Sequence, residues 1–383
     1  MRETSGGPFV LPIEQPEDVE AGDILVLVVT SPGEDSTSPG IDGDQSINWG
    51  GLGNGIGAAY VFVRDDLDGW AQQAYIKASD PSTFASFGES MDLRDDGDTF
   101  VAAAYGFDGY RGAGFVFHRD ELDQWAQTGY LEASNGDQGD RFGTDAGISA
   151  DGRVIALSAP YESSSAIGID GDQLDNYASA AGAVYTFSIG EDEVWTQESY
   201  VKASTVGPSD YFGWSVELDA EGTVIVVGAP RLYNPQKAGS AYVFVRDEFA
   251  QWSEQGILDA SNPDPDDYFG TRVAVNAAGD LVFVSAVSER SFAHGLDGDQ
   301  NDDFPGNAGA VYMFALDGPD SWEQGAYIKA SNTGLDHFGT ALGLGDNGMT
   351  LAVGACTENS AAVGVQGDQY DESISFAGAV YVY

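Results

Sequence analysis

The sequence predicts an all-β fold, a β-propeller of four-stranded antiparallel blades, and three observations carry that prediction. Four short phrases recur in constant order along nearly all of the 383 residues. Each phrase is rich in Val, Ile, Tyr and Phe and bordered by Gly, Asp, Asn or Ser, which is the composition of strands and turns. No long segment shows a convincing 3.6-residue period. Four consecutive strands per repeat is the signature of a propeller blade.

The first phrase opens on Phe-Gly at Phe87, Phe142, Phe212, Phe269 and Phe338. It runs into a turn that ends in Gly (DDG, ADG, AEG, AAG, DNG), where a positive φ costs least. An apolar phrase follows at once: DTFVAAAYG, RVIALSAP, TVIVVGAP, DLVFVSAV and MTLAVGAC. After a connection of variable length comes a third phrase of the GAVYTF kind, at Gly57, Gly112, Gly182, Gly239, Gly309 and Gly378. The fourth starts at a tryptophan: Trp70, Trp125, Trp195, Trp252 and Trp322.

Counting a degenerate first unit, six units are visible in one domain spanning 1–383: 1–86, 87–141, 142–211, 212–268, 269–337 and 338–383. The Phe-Gly positions step by 55, 70, 57 and 69 residues, so the units pair into longer duplications. The sixth unit reaches Tyr383 inside its third phrase and lacks an outer strand. Residues 1–13 are the spare candidate to supply one; if Phe9 to Ile13 already serve as the inner strand of unit one nothing is left over, and the chain is then open to being a fragment of a seven-bladed protein.

Sixty-two acidic residues, 42 Asp and 20 Glu, face 15 basic ones of which four are Lys, a net charge of −47. A nucleic-acid surface needs a basic stripe and is excluded; an anionic membrane surface is disfavoured on the same ground. With 42% apolar and 12% aromatic residues the chain can build a large core, so the charge is a solvated exterior. Adaptation to high salt and cation binding both account for it. The longest apolar run, Ile24 to Val29, falls far short of a membrane span, and MRETSGGPFV contains no signal-peptide core. The lone Cys356 is expected to be an inert, partly buried thiol.

The Phe-Gly opening, the Gly228-Ala229-Pro230 close of a second strand with its variants Ser158-Ala159-Pro160 and Gly354-Ala355-Cys356, and the Gly-x-Val-Tyr-x-Phe third strand together resemble FG-GAP repeats. These repeats build the integrin α-chain amino-terminal propeller and occur in many bacterial secreted proteins. The resemblance implies adhesion or ligand binding, outside the cell or at its surface. The calcium loop that integrin-type repeats often carry between strands one and two has no counterpart, because turns such as ISADGR are too short to wrap a cation taking about six to eight oxygens.

Strand alternation places the loop from strand two to three, and the loop from strand four to the next blade, on one face. That face collects every long insertion and is the binding candidate. Four of its loops share a Gly-Asp-Gln phrase: GIDGDQSIN from Gly40, GIDGDQLDN from Gly168, GLDGDQNDD from Gly295 and GVQGDQYDE from Gly364. Their acids are Asp42 and Asp44; Asp170, Asp172 and Asp175; Asp297, Asp299 and Asp302; and Asp368 and Asp371. Such spacing either converges on a hard cation, with Ca2+ preferred and Asp170, Asp172 and Asp175 as the metal set, or shapes an Asx-type turn. Gln366 replaces the first Asp in the fourth copy and weakens the ligand argument. Trp49 is the candidate exposed binding aromatic, whereas the five repeated tryptophans are expected to pack between blades.

His118, His294 and His337 fall in unrelated contexts, with no nucleophile elbow, HExxH or phosphate loop. The expectation is a non-catalytic binding propeller, monomeric, that presents acidic loops to a protein, glycan or cation. The alternatives are a carbohydrate-active hydrolase or lyase using loop carboxylates, and a purely structural surface module.

Overall fold

The computed structural model describes residues 25–45, 55–64, 69–82, 84–231, 237–302, 306–332, 334–371 and 373–383. Phe9 to Ile13 and Trp49 lie outside the described residues. Six antiparallel sheets follow one another along the chain and form a six-bladed propeller. Blade one is β1 (Leu25–Ser31), β2 (Ala58–Arg64) and β3 (Trp70–Ile76). Blade two is β4 (Met91–Leu93), β5 (Thr99–Ala104), β6 (Ala113–Arg119) and β7 (Trp125–Leu131), with a short turn, Phe107–Tyr110, between β5 and β6 whose Asp108 and Gly109 are left-handed at φ 47° and 72°. Blade three is β8 (Ala146–Ile148), β9 (Val154–Ala159), β10 (Ala183–Ile189) and β11 (Trp195–Val201). Blade four is β12 (Ser215–Leu218), β13 (Val224–Ala229), β14 (Ser240–Arg246) and β15 (Trp252–Leu258). Blade five is β16 (Phe269–Val275), β17 (Leu281–Ala286), β18 (Ala310–Leu316) and β19 (Trp322–Ile328). Blade six is β20 (Phe338–Leu344), β21 (Leu351–Ala355) and β22 (Ala379–Val382).

The repeated residues explain why each phrase takes its place. The Phe of Phe-Gly meets two third-strand aromatics of its own blade edge-on; Phe142, for example, lies 5.4 Å from Tyr185 and 6.0 Å from Phe187. A register shift recurs at one place between strands three and four, at Val61/Phe62, Val116/Phe117, Thr186/Phe187, Val243/Phe244 and Met313/Phe314. Such a bulge adds twist to the outer half of a blade. The hairpin turns carry the expected positive φ at Gly97, Gly152, Gly222, Gly279 and Gly348. They also link blades: Ala150 N donates to Ala220 O, Ala220 N to Ala277 O, and Ala277 N to Asp346 O.

Blades one to five join their successors where the Gly that opens the third phrase meets the next blade's Phe. A Cβ on Gly182 would lie 2.0 Å from Phe212 O, and Gly57, Gly112, Gly239 and Gly309 face Phe87, Phe142, Phe269 and Phe338 in the same way. Trp125 and Trp322 pack between blades, as expected, whereas Trp70 is exposed. Trp125 Nε1 donates to Gln73 Oε1 of blade one at 2.9 Å, and Trp322 Nε1 to Gln255 Oε1 of blade four at 3.0 Å. Cys356 differs from expectation: it is exposed, because it stands in the turn after β21.

Candidate functional site

The Gly-Asp-Gln loops are blade latches. Asp42, Asp170 and Asp297 take positive φ, and each carboxylate accepts the amide of the fourth-strand Tyr75, Tyr200 or Tyr327 at 2.9–3.0 Å. The residue before each pairs with the same strand, in the bridges Ile41↔Ile76, Ile169↔Val201 and Leu296↔Ile328, so the loop covers the blade's outer edge. Asp172, Asp299 and Asp368 each accept the amide two residues on, closing an Asx turn. Their carbonyls, and that of Asp44, accept the hydroxyls of Ser164, Ser291, Ser360 and Ser36. Gln173, Gln300 and Gln369 reach back to Ser134, Ser261 and Ser331 of the preceding blade.

Asp175 binds Ser165 through its amide and hydroxyl, which lowers the carboxyl pKa; Asp371 accepts Ser373 N, and Asp302 O accepts Phe292 N. Asp170, Asp172 and Asp175 thus turn to separate donors. Among the described residues no three Asp, Glu, His or Cys side chains form a metal-sized group.

Beneath these loops lie ion pairs that sequence reasoning missed. Lys202 Nζ donates to Glu162 Oε2 at 2.7 Å and Lys329 Nζ to Glu289 Oε2 at 2.7 Å, all four side chains being at most 1% exposed; Lys77 pairs with Glu34. Three of the chain's four lysines are therefore internal. The signal was present: units with Glu shortly after the second strand (Glu34, Glu162, Glu289) carry Lys in the fourth, while units two and four lack both, having Glu132 and Asp259 at the Lys position.

A funnel of about 360 Å3 opens on the same face at the propeller centre. Its wall comes from the first strands: Glu89 and Ser90, Thr144 and Asp145, Trp214, Ser215 and Glu217, then Arg272. Tyr105, Arg141 and Tyr161 stand at the mouth. A side-chain ladder fixes this wall. Ser90 Oγ donates to Asp145 Oδ1 at 2.8 Å and accepts Ala146 N at 3.1 Å; Asp145 Oδ2 accepts Val216 N at 2.9 Å; Ser215 Oγ accepts Val273 N at 3.3 Å. Lower down, Asp92 Oδ2 accepts Ile148 N at 2.8 Å. Burial first, then the charges of Asp92 and Asp145, push the Glu217 carboxyl well above its ordinary range, and burial raises Asp92 as well.

At the mouth the Arg141 guanidinium lies 4.1 Å from the centre of the Tyr161 ring, with Tyr105 and Tyr110 each at 5.7 Å. Tyr161 meets Tyr211 edge-on at 5.2 Å, and Tyr211 meets Trp214 at 5.9 Å. The residue before each Phe-Gly, namely Ser86, Arg141, Tyr211, Tyr268 and His337, has φ between +49° and +58°. Glycine would avoid a cost of roughly 1–2 kcal/mol at each such position, yet none is glycine and the five side chains are nearly all different.

Two buried carboxyls near this face make stability depend on pH. Burial raises Asp140 to about 6 and Asp267 to about 7, partly offset by backbone amides at Asp137 and Asp264. A folded pKa above the unfolded one means the folded state holds the proton more tightly. The stability these two carboxyls contribute is then fully present in acid and is lost as pH rises from the ordinary Asp range through about 7. Asp267→Asn keeps an acceptor for Asp264 N and is expected to flatten the urea-midpoint profile between about pH 4 and 8; an unchanged slope contradicts the assignment.

Residues 195–244, from β11 into β14, match the family model for the FG-GAP repeat. The fold and this match define the class: a six-bladed β-propeller that contains a repeat of the FG-GAP kind. No curated protein matches the chain. Among solved structures, a candidate 6-phosphogluconolactonase from Bacteroides uniformis is 11% identical, with 88% of this chain and 77% of that one covered and a TM-score of 0.50. A protein from Lactobacillus plantarum is 13% identical, with 80% and 72% covered and a TM-score of 0.49. At such identity the first of these likenesses concerns the fold.

Proposed function

We propose that this protein is a non-catalytic binding propeller of the cell exterior, and that its ligand is a neutral or amino-bearing glycan seated in the central funnel. One observation carries the reading: Trp214, Tyr105 and Tyr161 stand beside Asp145, Glu217 and Arg272 in one cavity on the face that gathers the long loops. Aromatic faces pack against sugar C–H surfaces, while carboxylates and a guanidinium satisfy hydroxyls in fixed geometry. The net charge of −47 repels acidic polysaccharides and favours neutral or cationic ones.

A glycan array with the intact protein tests this. Neutral or amino sugars are expected to bind and Trp214→Ala to weaken them at least tenfold with the fold retained. An empty array, or binding only to sulfated glycans, contradicts the proposal. The raised Glu217 carboxyl beside Asp92 and Asp145 favours a second reading, a hydrolase or lyase with Glu217 as general acid. Release of reducing sugar, abolished by Glu217→Gln, would select that reading over the first.

A further inference from the structure

The deepest acid lining the funnel is Glu217, on the same face of β12 as Ser215 and two residues further from the mouth. It differs from the acids around it in how its oxygens are used. Asp92 accepts Leu93 N at 2.9 Å through Oδ1 and Ile148 N at 2.8 Å through Oδ2. Asp145 accepts Ser90 Oγ and Ala146 N through Oδ1 and Val216 N through Oδ2. Among the described residues no donor reaches the Glu217 carboxyl.

Charge and space both leave room for a cation there. Asp92 and Asp145 face Glu217, and no ion pair compensates the three carboxyls among the described residues. Arg272, the cation of the same wall, stands one level nearer the mouth and donates Nη1 to Thr271 O. At the level of Glu217 the other first strands present Gly147, Ala274 and Gly343, small residues where a longer side chain would reach the carboxyl. An ammonium seated there relieves the repulsion among the acids and keeps Glu217 ionised. Three residues separate Trp214 from Glu217, roughly 10 Å of extended chain, a depth that two linked sugar rings cover and one does not.

We infer that the funnel holds an amino sugar by its free primary amine, the ammonium set against Glu217 at the floor while the next ring of the glycan lies on Trp214. The inference rests on the funnel as the glycan site and adds the group that is recognised and the residue that selects it. N-acetylation removes the positive charge, and an unsubstituted sugar offers a neutral hydroxyl whose bond to a carboxylate is weaker than an ion-paired one.

The probes are the β-1,4-linked dimers of glucosamine, N-acetylglucosamine and glucose, titrated calorimetrically into the intact protein at about pH 6.5, where a primary amine is protonated. The glucosamine dimer is expected to bind at least roughly tenfold more tightly than either neutral dimer, and Glu217→Gln to bring it to their level. Equal affinity of the native protein for all three, or a preference that Glu217→Gln leaves intact, overturns the inference. The funnel reading survives that failure if Trp214→Ala still weakens whatever binds. Failure of all three dimers to bind at millimolar concentration overturns the inference as well, and the glycan array then decides the funnel reading separately.

Discussion

Gly182→Ala is expected to lower stability by about 3 kcal/mol or more, read as a fall in urea midpoint without a change in slope. Two costs combine there. The residue has φ +88°, a conformation that costs an L side chain roughly 1–2 kcal/mol, and its new Cβ would sit 2.0 Å from Phe212 O across the seam between blades three and four. Neither partner can yield cheaply, since both are backbone and Phe212 is anchored between Tyr242 and Phe244. Gly168→Ala is the control. It has φ +71° but nothing within 4 Å of the added Cβ, so only the backbone cost of roughly 1 kcal/mol applies. Equal losses in the two variants would show that the seam does not constrain this glycine.

Lys202→Met is expected to cost about 3–5 kcal/mol, because it strands the Glu162 charge in a site with 1% exposure. The second change should recover much of that: Lys202→Met with Glu162→Gln leaves an uncharged amide that still accepts Ser164 N. A double-mutant cycle by chemical denaturation measures the coupling. A single variant no less stable than the native protein, or a double variant worse than the sum of the singles, contradicts the assignment. Lys329→Met should behave alike in blade five, and the two losses should add, since the pairs share no partner. The scarce lysines thus serve the interior, and the remaining cationic charge at the surface is largely arginine.

The fold was legible because its demands repeat. Phe-Gly, the third-strand Gly and the fourth-strand Trp recur because each occupies a seam or an aromatic contact that every blade must make. The loop phrase was legible as a phrase but not in its role. Asp170 and Asp172 have a spacing that suits a cation and an Asx turn alike, and only the placement of Tyr200 N and Leu174 N shows which groups they hold. The funnel was invisible for the opposite reason. Its wall positions vary from unit to unit, Ser90, Asp145, Ser215 and Arg272 at one level and Asp92, Gly147, Glu217 and Ala274 at the next, so comparing units passes over them. Constancy among the repeats marks what builds the ring; difference marks what the ring presents.

That distinction gives the most direct test of where this propeller binds. The glycan that binds best on the array is titrated calorimetrically against the native protein, Trp214→Ala in the funnel, and Asp172→Ala combined with Asp299→Ala in the latch loops. Binding at the funnel predicts at least a tenfold loss for Trp214→Ala and native affinity for the loop variant. Native affinity for Trp214→Ala with loss in the loop variant would contradict it and return the site to the acidic loops.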